Sequence, residues 1–403
     1  MKLAIDGGSK VFEQNAPVPA WPPVYPETAE KLKELYLGHR WSFYGPVEVE
    51  FNERFAEFTG AKKSVMMANG TVTLEMALQA MGIGAGDEVI VPAHTWIATG
   101  EAVYYRGATP VVVDIEPDTL CLDPEKLEAA ITPKTKAIIP VHLFGSMADM
   151  DRIMAIAKKH GLRVMEDCAH SHGGFWDGKH TGTIGDVGSF SFQESKILAA
   201  GEGGACITND EELAIVMGRL SHIGYQYGAK RGEAGGRPPM GEICHNYRVT
   251  DFQALILLSQ LEHLMEDNQL RAKNAEYLRE RLNRIPGVRV QAPGRKATLQ
   301  SYYLFAIMID HHHLKPGIDL AKVIAALQAE GCPVGKGWGD VMYKQIRWTL
   351  TPDMYRIASN AVAEEVVYKQ LMVSDLMTLM MPQEALDLYV KCFEKVMGEY
   401  YVA

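Results

Sequence analysis

From about residue 60 to residue 220, short apolar runs alternate with stretches whose apolar positions recur every three or four residues. "SVMMA" precedes "TLEMALQAMGIG", where Leu74, Ala77, Leu78 and Met81 fall on one helical face. "DEVIVPA", "GATPVVVDI", "TKAIIPVHLF", "LRVMED" and "DVGSFSF" read as strands. In "DMDRIMAIAKKHG", Ile153, Ile156, Ala157 and His160 share a face, Asp149 is placed to cap the start and Gly161 to close the end. Strands alternating with helical stretches predict a layered α/β domain with a largely parallel sheet.

Beyond residue 220 the texture changes. "GYQYGAKRGEAGGRPPMGE" (224–242) has no period and predicts a long loop. "DFQALILLSQLEHLMEDNQLRAKNAEYLRERLNRI" is a long helical pattern leading out of the first domain. The strand-like "YYLFAIMI" and the helical "IDLAKVIAALQAEG" and "PQEALDLYVKCFEKVM" then predict a smaller α+β domain. The expected division is an N-terminal arm over 1–30, a large domain over 31–265 and a small domain over 266–403. "HHH" at His311–His313 reads as a polar stop after a strand. Neighbouring residues on a strand face opposite ways and converge poorly on an ion, so no metal is expected.

Composition narrows the class. The 403 residues exceed a single small core, and no apolar run is long enough to span a membrane. The start has no cationic segment leading into an apolar stretch, which predicts a cytoplasmic protein. A formal charge of −10 argues against nucleic-acid partners, though a local pocket can still take a small anion. Six cysteines are scattered with no CxxC pair, the pattern of reduced thiols.

Candidate chemistry collects where strands end, the place where open α/β sheets bind ligands. "MMANGT" ends a strand with Asn69, Gly70 and Thr71 opening a helix, a geometry that offers amides to an anion. "PAHTW" ends with Trp96, and "EDCAHSHGG" carries Asp167 and His170. "SFSFQESKILAAGEGG" carries Ser191 and then Lys196 beside a cluster of glycines. Singly, these are a turn, a core aromatic, a helix cap and a solvated lysine. Together they supply what pyridoxal phosphate requires: an anion cradle, an aromatic plate, a carboxylate for the ring nitrogen and an amine for the aldehyde.

The segments "GPVEVEF", "ANGTVTLEMAL", "VIVPAHTW", "PVHLFGSMADMD", "EDCAHSHGG", "SFQESKILAAGEGGACITND" and "HNYRVTDFQALILLSQL" occur in order over most of the chain. In these it resembles the DegT/StrS-type sugar aminotransferases, a branch of the fold-type-I, aspartate aminotransferase-like enzymes. The resemblance implies that fold: a large domain on a mostly parallel mixed sheet and a smaller C-terminal α+β domain. It implies pyridoxal 5'-phosphate, Lys196 as the Schiff-base lysine and proton carrier, and Asp167 as the partner of the ring nitrogen. Trp96 matches the stacked aromatic, Gly70, Thr71 and Ser191 the phosphate site, and His170 a Gln/His position by the ring. Asn246 matches an asparagine that reaches the phosphate from a neighbouring subunit, which implies a homodimer with shared active sites.

The implied activity is transamination from glutamate or glutamine to a cyclic polyhydroxy ketone. "KLAIDGG", the "WP" pair, "MADMD" and "SFQESK" lean towards the ketocyclitol (inosose) branch over nucleotide-linked keto sugars. The chain departs from the pattern at "LILLSQL" and at "CPVGKGWGDVMYKQIRW", which replaces a more typical substrate-lining stretch. Lys230, Arg231 and Arg237 are candidate contacts for an anionic acceptor, against a plain solvated loop. Two rival readings are a dehydratase of the same family, which carries histidine where this chain has Lys196, and a catalytically silent homologue.

Overall fold

The computed structural model describes residues 2–226, 228 and 238–402. Its central element is an eight-stranded sheet. The strand order is Lys63–Met67, Gly204–Thr208, Val187–Ser191, Arg163–Asp167, Thr135–Ile138, Glu88–Pro92, Thr109–Val113 and Arg356–Ile357. Only Gly204–Thr208 runs against the rest. Val89, Ile90, Val91, Val111, Val112 and Val113 are fully buried, so these middle strands are apolar on both faces, as a sheet covered by helices on each side requires. The predicted helix caps appear: Asp149 accepts the Arg152 N–H at 3.2 Å, and Gly161 closes Met150–His160 at φ 65°.

The long helical pattern after residue 250 is two helices, Asp251–Leu261 and Leu264–Leu282, the first opened by a Thr250–Gln253 capping box. The second carries the chain to an antiparallel sheet of Val288–Val290, Leu304–Ile309 and Leu371–Asp375. Leu320–Ala329 and Gln383–Tyr400 bury Val323, Leu327, Leu386 and Phe393 in this smaller core.

Two segments cross the sequence-based domain lines. Residues 341–367 return to the large core through Val341, Met342, Ala363 and Val366, and Arg356–Ile357 forms the outermost strand of the large sheet. The Asp114 carboxylate fixes this return. It accepts the Val362 and Ala363 N–H groups, each at 2.8 Å, at the start of Ala361–Lys369, where an anion meets the helix dipole. The N-terminal arm folds back on the small core, where Leu3 and Phe12 are buried. His311–His313 form a 3-10 turn after the strand, with His313 on Asp310 and His311 on Glu365. In that turn the His311 and His312 nitrogens approach a Glu365 oxygen within 4.8 Å, so the strand-alternation argument does not apply to them.

Glu330 anchors the arm. Fully buried, it accepts the Ala4 N–H at 2.7 Å and the Val11 N–H at 3.1 Å and pairs with Lys395 at 2.8 Å. Glu330→Ala strands all three donors and is expected to cost about 3 kcal/mol of unfolding free energy. Denaturant unfolding measures that loss, and limited proteolysis should then cut within the first twelve residues. An unchanged midpoint with a resistant arm would contradict this role.

Candidate active site

The carboxyl ends of the parallel strands open on one cavity of about 1080 Å³. One wall is the start of the Gly70–Ala80 helix. The Asn69 side chain caps it by accepting the Val72 N–H at 3.0 Å, and no intrahelical acceptor reaches the Gly70 and Thr71 amides. The Ser191 strand end lies so close that a Cβ at Gly70 would meet the Ser191 Cβ at 2.6 Å. Glycine is therefore required by close approach, and the result is a cradle of amides beside a hydroxyl, the arrangement that binds phosphate oxygens.

Asp167 ends the Arg163–Asp167 strand with 5% of its surface exposed. Its carboxylate accepts the Thr99 hydroxyl at 2.9 Å and the Ala169 N–H at 3.2 Å. Burial pushes its pKa up, and those two hydrogen bonds and the charge of Lys196 oppose the rise. Lys196 lines the same cavity. Burial brings its amine down to about 8, with Asp167 acting the other way. The two make no ion pair within 4.0 Å, yet the charge of each still acts on the pKa of the other.

The neighbouring residue, Glu166, faces the other side of the strand and is fully committed. It accepts N–H bonds from Gly182, Ile184 and Gly185 at 2.7 to 2.9 Å and pairs with His142 at 3.0 Å. Asp167, with two donors, keeps acceptor capacity for a ligand.

Aromatic rings close the cavity. His170 stacks on Tyr303 at 4.2 Å and 14°, and the Tyr303 ring lies 4.3 Å from the Lys196 amine. The His170 Nδ1 accepts the Phe144 N–H at 3.4 Å, which assigns the proton to Nε2, a buried atom with no partner. Burial and the Lys196 charge hold His170 well below its usual pKa, so the ring is neutral. Trp96, 37% exposed, lies 5.8 Å from Trp338, and Trp338 also touches Phe144, His94 and His170. His94 is neutral too, brought to about 4 by burial alone.

Seven of the eight residues singled out from sequence meet here: Gly70, Thr71, Trp96, Asp167, His170, Ser191 and Lys196 all line the cavity. Asn246 does not. It is exposed and pairs through the backbone with His222. Lys230, Arg231 and Arg237 lie outside the described residues. Thr99, Tyr303 and Trp338 were not among the sequence candidates. Thr99 sits three residues after Trp96, in the first turn of the Ile97–Tyr105 helix, close enough in sequence to a candidate to have been found. Tyr303 looked like strand, and Trp338 belongs to the aberrant "CPVGKGWGDVMYKQIRW" stretch, whose Gly337, Trp338, Gln345, Ile346 and Arg347 do line the cavity. All six cysteines are free thiols. Among the described residues no helix is long and apolar enough to cross a membrane.

Comparison with known proteins gives a consistent set. The sequence model of the DegT/DnrJ/EryC1/StrS aminotransferase family matches residues 24–369. The L-glutamine:2-deoxy-scyllo-inosose aminotransferase of Streptomyces kanamyceticus is 41% identical over 347 residues, covering 84% of this chain and 80% of that protein. The crystal structure of 3-amino-5-hydroxybenzoic acid synthase superposes with a TM-score of 0.84 at 29% identity, over 96% of this chain and all of that one. An aminotransferase from Psychrobacter cryohalolentis matches with a TM-score of 0.84 at 30% identity, over 95% of this chain and 99% of that one.

The lowered amine makes a prediction that needs no cofactor. Reductive methylation of Lys196, followed by peptide mass spectrometry, should speed up about tenfold per pH unit and level off near pH 8. Surface lysines of ordinary pKa should keep gaining to above pH 10. A Lys196 profile that tracks the surface lysines would contradict the burial account.

Proposed function

The chain belongs to the DegT/DnrJ/EryC1/StrS aminotransferase family, and from that premise we propose that it is a pyridoxal phosphate-dependent transaminase that transfers the amino group of L-glutamine to an inosose. The observation that supports this most is that Lys196 and Asp167 line one cavity together with Gly70, Thr71 and Ser191. The cavity fits the cofactor: the Gly70 amide and the Ser191 hydroxyl stand together in a close approach that any Cβ at residue 70 would prevent, and the buried His170 Nε2 lacks a partner.

When bound, pyridoxal phosphate supplies a carbonyl carbon for amine exchange and a pyridinium that spreads carbanion charge. The remaining work falls to the chain. The Gly70 and Thr71 amides and the Ser191 hydroxyl would hold the phosphate, and Trp96 would cover the ring. His170 would donate its Nε2–H to the cofactor. Asp167, oriented by Thr99 and Ala169, would keep the ring nitrogen protonated. The Lys196 Nζ would be the amine for the aldehyde and would carry the proton to and from the substrate carbon, a task that a pKa of about 8 suits near neutral pH. Tyr303 keeps that amine against its ring face. Lys196 also separates this reading from the dehydratase alternative, which calls for histidine there.

The acceptor is an inosose of the kind named for the Streptomyces kanamyceticus relative, with nucleotide-linked keto sugars as the competing class. The active unit is a homodimer in which Asn246 completes the site of the other subunit. Two features support this: Asn246 is exposed and does not line its own cavity, and Tyr36, Leu37, Ile223, Met240 and Ile243 expose apolar surface.

Purified holoenzyme should lose its visible absorbance when L-glutamine is added, and regain it with 2-deoxy-scyllo-inosose but not with a nucleotide-linked keto sugar. Recovery only with the nucleotide sugar would overturn the acceptor assignment. Lys196→Ala should abolish turnover, and Asp167→Ala should lower kcat by roughly 10² to 10⁴ with the fold intact. Mixing Lys196→Ala and Asn246→Ala chains should restore about a quarter of wild-type activity, since half the random dimers are hybrids with one complete site. No gain on mixing would contradict the shared site.

A further inference from the structure

Segment 335–348 crosses the seam between the two domains and is clamped at both ends. Gly335 exchanges two 2.8 Å backbone hydrogen bonds with Val373 on the small sheet. On the large-domain side, the Met342 N–H donates to the Ala93 carbonyl at 2.9 Å and the Gln345 Nε2 donates to the Thr95 carbonyl at 2.8 Å. Within the segment, Gly337 at φ +64° and Gly339 at φ +74° bracket Trp338, a pair of left-handed residues that turns the chain sharply around one indole.

That indole is part of an uncharged aromatic wall. Its ring lies 5.8 Å from Trp96, 5.6 Å from His170, 5.4 Å from Phe144 and 5.7 Å from His94. Both histidines are held neutral by burial. With Trp96 assigned to the cofactor ring and Tyr303 to the Lys196 amine, Trp338 is the indole lining the cavity that the reaction leaves unused. Such a surface attracts C–H groups and resists an unpaired hydroxyl, which would lose its water against the ring.

Ring stereochemistry supplies the complement. In a cyclohexane chair with every hydroxyl equatorial, each face presents only axial C–H bonds and the hydroxyls form a rim. An axial hydroxyl places a polar group on the face itself. We propose that Trp338 is the acceptor-specificity residue: its indole is a platform for the C–H face of an all-equatorial cyclitol and rejects rings that carry an axial hydroxyl on that face. This rests on the cyclitol reading of the acceptor.

Unreactive polyols test the platform without turnover. scyllo-Inositol has no axial hydroxyl, whereas D-chiro-inositol has one on each face and cannot escape by turning over. Ligand-observed NMR titration of the holoenzyme should give scyllo-inositol a Kd about 10- to 100-fold below that of D-chiro-inositol. Trp338→Ala should collapse the ratio to within about twofold, and Trp338→Phe should keep a preference of the same sign. The cofactor absorbance and thermal midpoint of both variants check that the site is intact. A role in packing alone would weaken both ligands together and leave the ratio unchanged, and that result overturns the assignment, as does a wild-type protein without preference. If the wild type binds neither polyol and accepts no inosose, the cyclitol reading itself fails. If it accepts inososes and Trp338→Ala keeps the preference, only Trp338 is wrong.

Discussion

An amine and a carboxylate are both withdrawn from water in one cavity, and the surrounding residues are arranged around the free-energy cost of doing so. A direct ion pair would be the simplest compensation, but Lys196 and Asp167 do not form one. Burial lowers the amine to about 8 and raises the carboxylate, while each moderates the shift of the other from a distance. His172, brought down to about 3, and His94, to about 4, stay neutral, and the charges that lower the Asp167 carboxyl come from Lys196 and His142. A cationic ring beside Asp167 would balance the buried carboxylate and at the same time favour the neutral form of the Lys196 amine. That is the electrostatic sense in which the cavity is complementary to a protonated pyridine.

The sheet makes this arrangement possible by alternation. Consecutive residues on the Arg163–Asp167 strand face opposite sides. Glu166 spends its charge on three backbone N–H groups and His142, locking the Gly182–Gly185 turn, while Asp167 turns towards the cavity with acceptor capacity to spare. Two adjacent carboxylates thus do different jobs because their donor counts differ. The helix row Asn268, Arg271 and Asn274 continues the same logic across the domain seam. Asn268 donates to the His172 carbonyl at 2.9 Å, Arg271 to the Ser301 carbonyl at 3.3 Å and Asn274 to the Leu379 carbonyl at 2.7 Å. These bonds hold the loop bearing His170 against the strand that delivers Tyr303.

How much of this was legible in the sequence follows from what is local. Gly70, Asp167 and Ser191 each sit at or just past the end of an apolar run, so strand periodicity locates them at the carboxyl ends of the sheet, and Lys196 follows five residues after Ser191. The Met150–His160 helix was legible from its cap to its closing glycine for the same reason. Tyr303 and Trp338 come from chain far beyond the motifs, and only the packing of the small domain against the large one brings them to Lys196. The return of Arg356–Ile357 to the large sheet is hidden because a two-residue edge strand has no periodicity to detect. The docking of Leu3 and Phe12 depends on Glu330, more than three hundred residues away. His311–His313 do stop the strand as read, but the alternation argued from a strand does not hold in their 3-10 turn, because three polar residues leave no hydrophobic trace of such a turn.

The central claim is that Asp167 remains an ionised carboxylate and keeps the cofactor's ring nitrogen protonated while Lys196 holds the carbon opposite. The most direct measurement is the 15N NMR shift of that nitrogen in holoenzyme reconstituted with labelled pyridoxal phosphate. At neutral pH the account predicts the shift of a protonated pyridinium, moving to that of a neutral pyridine in Asp167→Asn. A neutral nitrogen in the wild type, or a protonated one in the variant, would contradict it.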